Sequence, residues 1–179
     1  VQDGGDHAAP LLHRRRVPQL EEELRHFTGE KNVAAIPQAR AGLYWYLKAV
    51  LLPGDEVLTS SYTLIDMVNM IICAGGKPMF VDTDERHSHI CVEDMKSKIT
   101  DKTRVLVLPH LYGTCAAIEE IVSICKERNV LVFEDCAQAV GASHHGKMIG
   151  TFGDAGVYSF GALKNVNGIF GGALLVKDT

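Results

Sequence analysis

Apolar and polar positions follow two rhythms along this chain, and together they predict its elements. Leu20, Leu24 and Phe27 recur at helical spacing in VPQLEEELRHFTG, with Pro18 near the start and Gly29 at the end. This predicts an amphipathic helix that follows a flexible N-terminal stretch over residues 1–16. A short apolar segment at 33–36 leads into the turn PQARAG and the helix LYWYLKAVLL, closed by Pro53 and Gly54. The rhythm then repeats: EVLTS reads as a strand, TLIDMVNMIICAGG as a helix stopped by Gly75 and Gly76, and PMFVD as a strand. DTDERHSHICVEDMKSKI carries a short helix, and RVLVLP is the continuous apolar run of a parallel strand buried on both faces. In AAIEEIVSICKERN, Ile118, Ile121, Val122 and Cys125 share one helix face, and the strand VLVFE follows.

Alternating strands and helices predict an α/β fold, a mainly parallel sheet with helices on both faces. The end of the chain departs from that alternation. Ten residues separate Phe160 from Gly171 with no helical pattern, yet GGALLV reads as a strand. A parallel crossover needs about a dozen residues or more, so the last strand is expected to run antiparallel. The seven expected strands are 33–36, 56–59, 78–81, 104–108, 130–134, 156–160 and 172–176.

At 179 residues, 46% hydrophobic and 22% charged, the chain has the composition of one ordinary globular domain, here expected over residues 17–179. A net charge of -4 with interspersed signs gives no electrostatic reason for nucleic acid or an anionic membrane as partner. The cluster Arg14, Arg15, Arg16 reads as a solvated run. With no apolar run of about 18 residues and no signal-peptide core in the given sequence, a cytoplasmic protein is expected. Cys73, Cys91, Cys115, Cys125 and Cys136 are odd in number and scattered, and read as reduced core residues. The pairs His87/His89 and His144/His145 have no Cys, His or Asp partner at ligand spacing, so no metal site is expected.

Chemistry concentrates between residues 130 and 172. Asp135 ends an apolar strand, and Lys164 lies in the loop after another. Ligands of open α/β sheets collect outside the carboxyl ends of the strands, so an acid and a lysine delivered there point to a site. Upstream, a strand, a turn of small residues at 38–42 and a helix start make a generic anion seat. Pyridoxal 5′-phosphate (PLP) needs such a set: a lysine to attach it, a carboxylate facing its pyridine nitrogen, an anion seat and an apolar surface against its ring. Taken singly each residue reads equally as structure: a solvent-facing aspartate, a surface lysine, a strand serine at Ser159, a plain strand-to-helix connection.

The ordered motifs EDCAQAVGASHHGKMIGTFGDAGVYSF followed by LKN, with LPHLYGT, PGDEVLTSSYT and AGGKPMFVDTD upstream, resemble the DegT/DnrJ/StrS family of sugar aminotransferases, fold-type I PLP enzymes. The resemblance runs from about residue 17 to residue 179. It implies that Lys164 is the Schiff-base lysine and proton carrier, and that Asp135 is the pyridine-nitrogen partner. It further implies that Gln138 lies by the ring in E-D-x-A-(H/Q), that Ser159 binds phosphate, and that the turn Ala39, Arg40, Ala41 holds phosphate through backbone N–H groups. Glutamate as amino donor, a nucleotide-linked keto-sugar as acceptor and a homodimer in the full-length form are implied as well. Leu64 follows Thr63 where many members place an aromatic ring over PLP, which implies an aliphatic contact there or one from Tyr62. The run Gly168, Ile169, Phe170 departs from the family's polar-Gly-Glu pattern. Alternatives with the same fold are a non-catalytic truncated relative and a PLP lyase or dehydratase. Leu163, in place of a histidine before the lysine, disfavours a desulfurase, and the lysine itself disfavours the dehydratase branch.

Overall fold

A computed structural model of the chain describes residues 8–115 and 117–178. Its elements are α1 (Ala8–Thr28), β1 (Asn32–Ile36), α2 (Ala39–Val50), β2 (Glu56–Ser60), α3 (Ile65–Ala74), β3 (Lys77–Val81), α4 (Val92–Lys98), β4 (Thr103–Pro109), α5 (Ile118–Glu127), β5 (Leu131–Asp135), β6 (Ser143–His144), β7 (Lys147–Met148), β8 (Ala155–Ser159) and β9 (Gly172–Val176). Seven strands form one sheet in the order β1-β9-β8-β5-β4-β2-β3, and β6 and β7 form a separate hairpin. The pairs β2–β3, β2–β4, β4–β5 and β5–β8 are parallel. β9 runs antiparallel to both β8 and β1, as the length of the preceding loop requires.

Every expected strand is present within a residue or so of its predicted limits. Helix α1 differs: it begins at Ala8 and takes Pro18 into its interior, so residues 8–16 are helical where a flexible stretch was expected. The Ala, Leu and Arg residues before Val17 are strong helix formers, which carries the helix backward past the proline. Residues 1–7 of that stretch lie outside the described residues. No helix of the described residues is long and apolar enough to cross a membrane.

The period of two along each strand sends alternate side chains to opposite faces. Val57, Val105, Val107, Phe133 and Val157 pack with Leu43, Leu47, Met67 and Ile71 of α2 and α3 on one face. Leu58, Leu106, Leu108, Val132 and Tyr158 pack with Met95 of α4 and Ile118, Ile121 and Cys125 of α5 on the other. Helix α1 covers the edge strand β1, where Glu21 Oε1 accepts the N–H of Ala35 at 2.9 Å and so occupies a donor that an exposed edge would offer. Helix α2 lies close on the sheet: a Cβ at Gly42 would stand 2.7 Å from Ile36 Cδ1.

The alternation also parts two adjacent acids. Glu134 faces the α5 side, fully buried, and accepts N–H groups from Gly150 (2.9 Å), Phe152 (2.7 Å) and Gly153 (2.7 Å). His110 Nε2 lies 3.0 Å from Oε2, the oxygen that also accepts the Gly150 N–H. Facing an acceptor-only carboxylate, Nε2 donates to it, while His110 Nδ1 has no partner among the described residues. Glu134 thereby ties the loop between β7 and β8 onto the sheet. The loop crosses β8 at Gly156, where a Cβ would meet Gly150 O at 2.4 Å. Asp135 points the other way, toward the carboxyl edge.

The cysteines follow the same geometry with one exception to expectation. Cys125 and Cys136 are buried, Cys91 and Cys115 half-buried, and all are free, but Cys73 is exposed. It lies on the face of α3 turned from the sheet.

Candidate functional site

At the carboxyl edge of the sheet a cavity of about 400 Å³ opens between the N-termini of α2 and α3 and the loop joining β8 to β9. Of the residues expected there, Lys164, Asp135, Ser159, Ala39, Arg40 and Leu64 all line it. Gln38, Asp66, Met67, Ile169 and Phe170 complete much of the wall.

Asp135 closes β5 and is 6% exposed. One carboxylate oxygen accepts the Ala137 N–H at 3.0 Å. Burial pushes its carboxyl above the usual carboxylate range, and the Ala137 N–H, the Lys164 ammonium and His110 offset that in part. Glu134, one residue earlier, goes the other way. Burial pushes it up as well, but His110 and the Gly153 and Gly150 N–H groups outweigh that and hold it below the ordinary range.

Lys164 is half-buried in a loop that is fastened at its base. Phe160 N–H donates to Gly171 O at 2.9 Å, Gly168 N–H to Phe160 O at 2.8 Å, and Lys164 N–H to Gly161 O at 3.0 Å. Asn165 Nδ2 donates to Val140 O at 2.7 Å, which docks the loop on the segment after β5. Among the described residues the Lys164 ammonium has no hydrogen bond or ion pair. Ser159, at the end of β8, presents a hydroxyl that is likewise unpaired among the described residues.

The stretch read as a turn at 38–42 is the first turn of α2, which starts at Ala39. Gln38 occupies the N-cap position without a side-chain capping bond, so the helix start is open toward the cavity. Ala41 departs from expectation: its N–H donates to Gln38 O at 3.0 Å and it does not line the cavity. Arg40 donates from Nε to Gln38 Oε1 at 2.8 Å and pairs through Nη1 with Asp66. It therefore stands at the rim, already partnered by a residue that motif reading missed; Asp66, in the first turn of α3, has no signature of its own.

Leu64 supplies an aliphatic wall at the start of α3, with buried Met67 beside it. Tyr62 does not line the cavity, and its hydroxyl lies 2.7 Å from that of Tyr112. Gln138 is also away from the cavity lining: its amide oxygen accepts the Tyr112 N–H at 3.1 Å and holds a residue in the left-handed region (φ 56°). Glu134 and His110 escaped the sequence reading, although strand alternation from Asp135 predicts that Glu134 points into the opposite core.

The family model of the DegT/DnrJ/EryC1/StrS aminotransferases matches residues 9–179. The chain belongs to that family. The GDP-perosamine synthase of Escherichia coli O157:H7 is 42% identical over 125 residues, 70% of this chain and 34% of that protein. The spore coat polysaccharide biosynthesis protein SpsC of Bacillus subtilis is 35% identical over 164 residues, 91% of this chain and 42% of that protein. Among solved structures, an aminotransferase from Psychrobacter cryohalolentis superposes with a TM-score of 0.86 at 30% identity, over 92% of this chain and 42% of its own. The sugar aminotransferase CalS13 from Micromonospora echinospora gives the same TM-score and identity over 92% and 47%. The chain thus spans less than half the length of these relatives, and the fold it shares with the DegT/DnrJ/EryC1/StrS aminotransferases is that of fold-type I.

Proposed function

We propose that this cavity binds PLP, and that residues 17–179 form the cofactor-binding large domain of a sugar transaminase working in the cytoplasm. The complete enzyme, a homodimer, would move an amino group from glutamate to a keto-sugar carried on a nucleotide, a reading supported by relatives named GDP-perosamine synthase. One observation carries the proposal: a buried acid, a lysine, a free hydroxyl and an uncapped helix start, from three separate stretches, converge on one cavity.

The residues fit the group. Burial raises the Asp135 carboxyl, so a cation set against it, such as a protonated pyridine nitrogen, offsets an existing penalty. When bound, PLP supplies an electron sink for the charge left as a substrate Cα proton departs. Asp135 holds the proton on the ring nitrogen. Lys164 Nζ would attach the cofactor, then take up the substrate Cα proton and deliver it to the C4′ position. The Ser159 hydroxyl and the first N–H groups of α2, at Ala39 and Arg40, hold the phosphate, where the helix dipole favours negative charge. Leu64 and Met67 face the ring and exclude water. Gln138 acts from outside the cavity by fixing Tyr112 and with it the loop after β4. Arg40, paired with Asp66, guards the rim.

Reconstitution with PLP should produce the visible absorption of a lysine-bound cofactor, and borohydride should fix a pyridoxyl group on Lys164, mapped by peptide mass spectrometry. A label on another lysine, or none, overturns the site.

A further inference from the structure

We propose that Glu119, His144 and His145 form a binding site for a divalent transition-metal ion, distinct from the cofactor cavity. One ligand atom from each side chain lies within 4.8 Å of the others. They come from two elements far apart in the chain: Glu119 from the first turn of α5, the histidines from the β6–β7 hairpin. Sequence spacing hides this arrangement, because the third ligand is no neighbour of the histidine pair.

Successive residues of an extended strand point to opposite faces, which would separate two adjacent histidines. Here His145 takes a left-handed backbone conformation (φ 49°) and brings its ring to 4.1 Å from that of His144. His145 Nδ1 stands 3.2 Å from Glu119 Oε1. With metal–ligand bonds of about 2.0–2.1 Å, the edge of a tetrahedral site is about 3.3 Å, so this pair already has the separation that two ligands of one ion take. His144 is supported from below by the edge of the Phe152 ring, 6.1 Å between centroids. Lys147, the cation nearest in the hairpin, is held over that same ring at 4.5 Å.

Two imidazoles and a carboxylate suit zinc, nickel or copper rather than calcium or magnesium. Glu119 and His145 are exposed, so water completes the coordination. The Cys115 thiol lies 3.7 Å from His144 Nδ1 and acts as an orienting partner for that ring. An ion there would fasten the hairpin to α5, next to the loop that Glu134 holds.

The test is calorimetric titration of full-length, tag-free, chelator-treated protein with Zn²⁺, and with Co²⁺ for its visible bands. One equivalent should bind, with four-coordinate Co²⁺ spectra. His145→Ala and Glu119→Gln should each weaken it by at least about tenfold, while Cys115→Ser and His87→Ala leave it in place. Circular dichroism and PLP uptake, read separately, show that each variant is folded. Absence of stoichiometric binding, or binding that survives both His145→Ala and Glu119→Gln, overturns the proposal.

Discussion

Asp135 and Glu134 are neighbours in sequence, yet the strand's alternation gives them opposite environments and opposite consequences for stability. Asp135 has a folded pKa above its unfolded value, so the folded state binds the proton more tightly, and the stability this gives is lost as pH rises through that window. At neutral pH the ionised form is a burden on the cofactor-free fold. Asp135→Asn should therefore leave the melting temperature of the cofactor-free protein equal or higher, while PLP binding falls at least about tenfold because the pyridinium loses its counter-charge. Thermal melts without PLP and an absorbance titration with it read the two effects separately. Glu134 has a depressed folded pKa, so its contribution is present above the unfolded value of about 4.3 and is lost as pH falls through the folded one. Glu134→Gln places an amide NH₂ among backbone N–H donors and should cost about 3 kcal/mol at neutral pH. Its stability should also fall less steeply in acid than that of the natural protein. Equal acid limbs in urea titrations of the two proteins would remove Glu134 as the acid-sensitive group.

At the scale of elements, the loop between β7 and β8 is held to the sheet through glycine. Gly156 has no room for a side chain because Gly150 O occupies the place of its Cβ, with Gly150 Cα and C close behind; all three are backbone atoms of the loop, set against the fully buried strand β8. Gly156→Ala should cost about 3 kcal/mol through overpacking, measured by urea denaturation, and should also loosen Glu134's contacts with that loop. The elements legible in the sequence were those whose pattern is local. β4 and β5 declared themselves by apolar runs, and the direction of β9 followed from a loop too short for a crossover. The start of α2 was not legible. Gln38, Ala39, Arg40, Ala41 and Gly42 lack a Ser, Thr, Asp or Asn cap, and Gly42 is there because the helix rests on Ile36 and Val157. Hairpin β6–β7 was missed because two-residue strands have no period to detect. For the site, Asp135, Ser159 and Lys164 were readable as strand ends and a loop, whereas Asp66 reaches Arg40 only through the packing of α3 beside α2. Gln138 was placed by motif beside the cofactor; that its amide oxygen accepts the Tyr112 N–H depends on how the chain turns after β5 and was not legible.

Across the whole molecule, apolar side chains gather around the mouth of the cavity. Leu163 (99% exposed), Phe170 (75%) and Ile169 (66%) come from the lysine loop, and Leu64 and Ile65 from the start of α3. All but Ile65 line the cavity, so the site is rimmed by surface that water solvates poorly. A patch of this kind on a globular chain marks a covered face. A second copy is the occupant expected from the homodimer proposed above, and it would close the site against solvent at the same time. Sedimentation velocity should show the purified chain self-associating. Phe170→Ser with Leu163→Ser should shift it toward monomer while both helix starts and Asp135 stay in place. Salt separates the causes: association through an apolar rim persists or strengthens as salt rises, whereas one through exposed charges weakens once the Debye length falls to about 3 Å near 1 M. A chain that sediments as a monomer at all concentrations, with its rim intact, would show that this face needs no cover and that the cavity is complete without a neighbour.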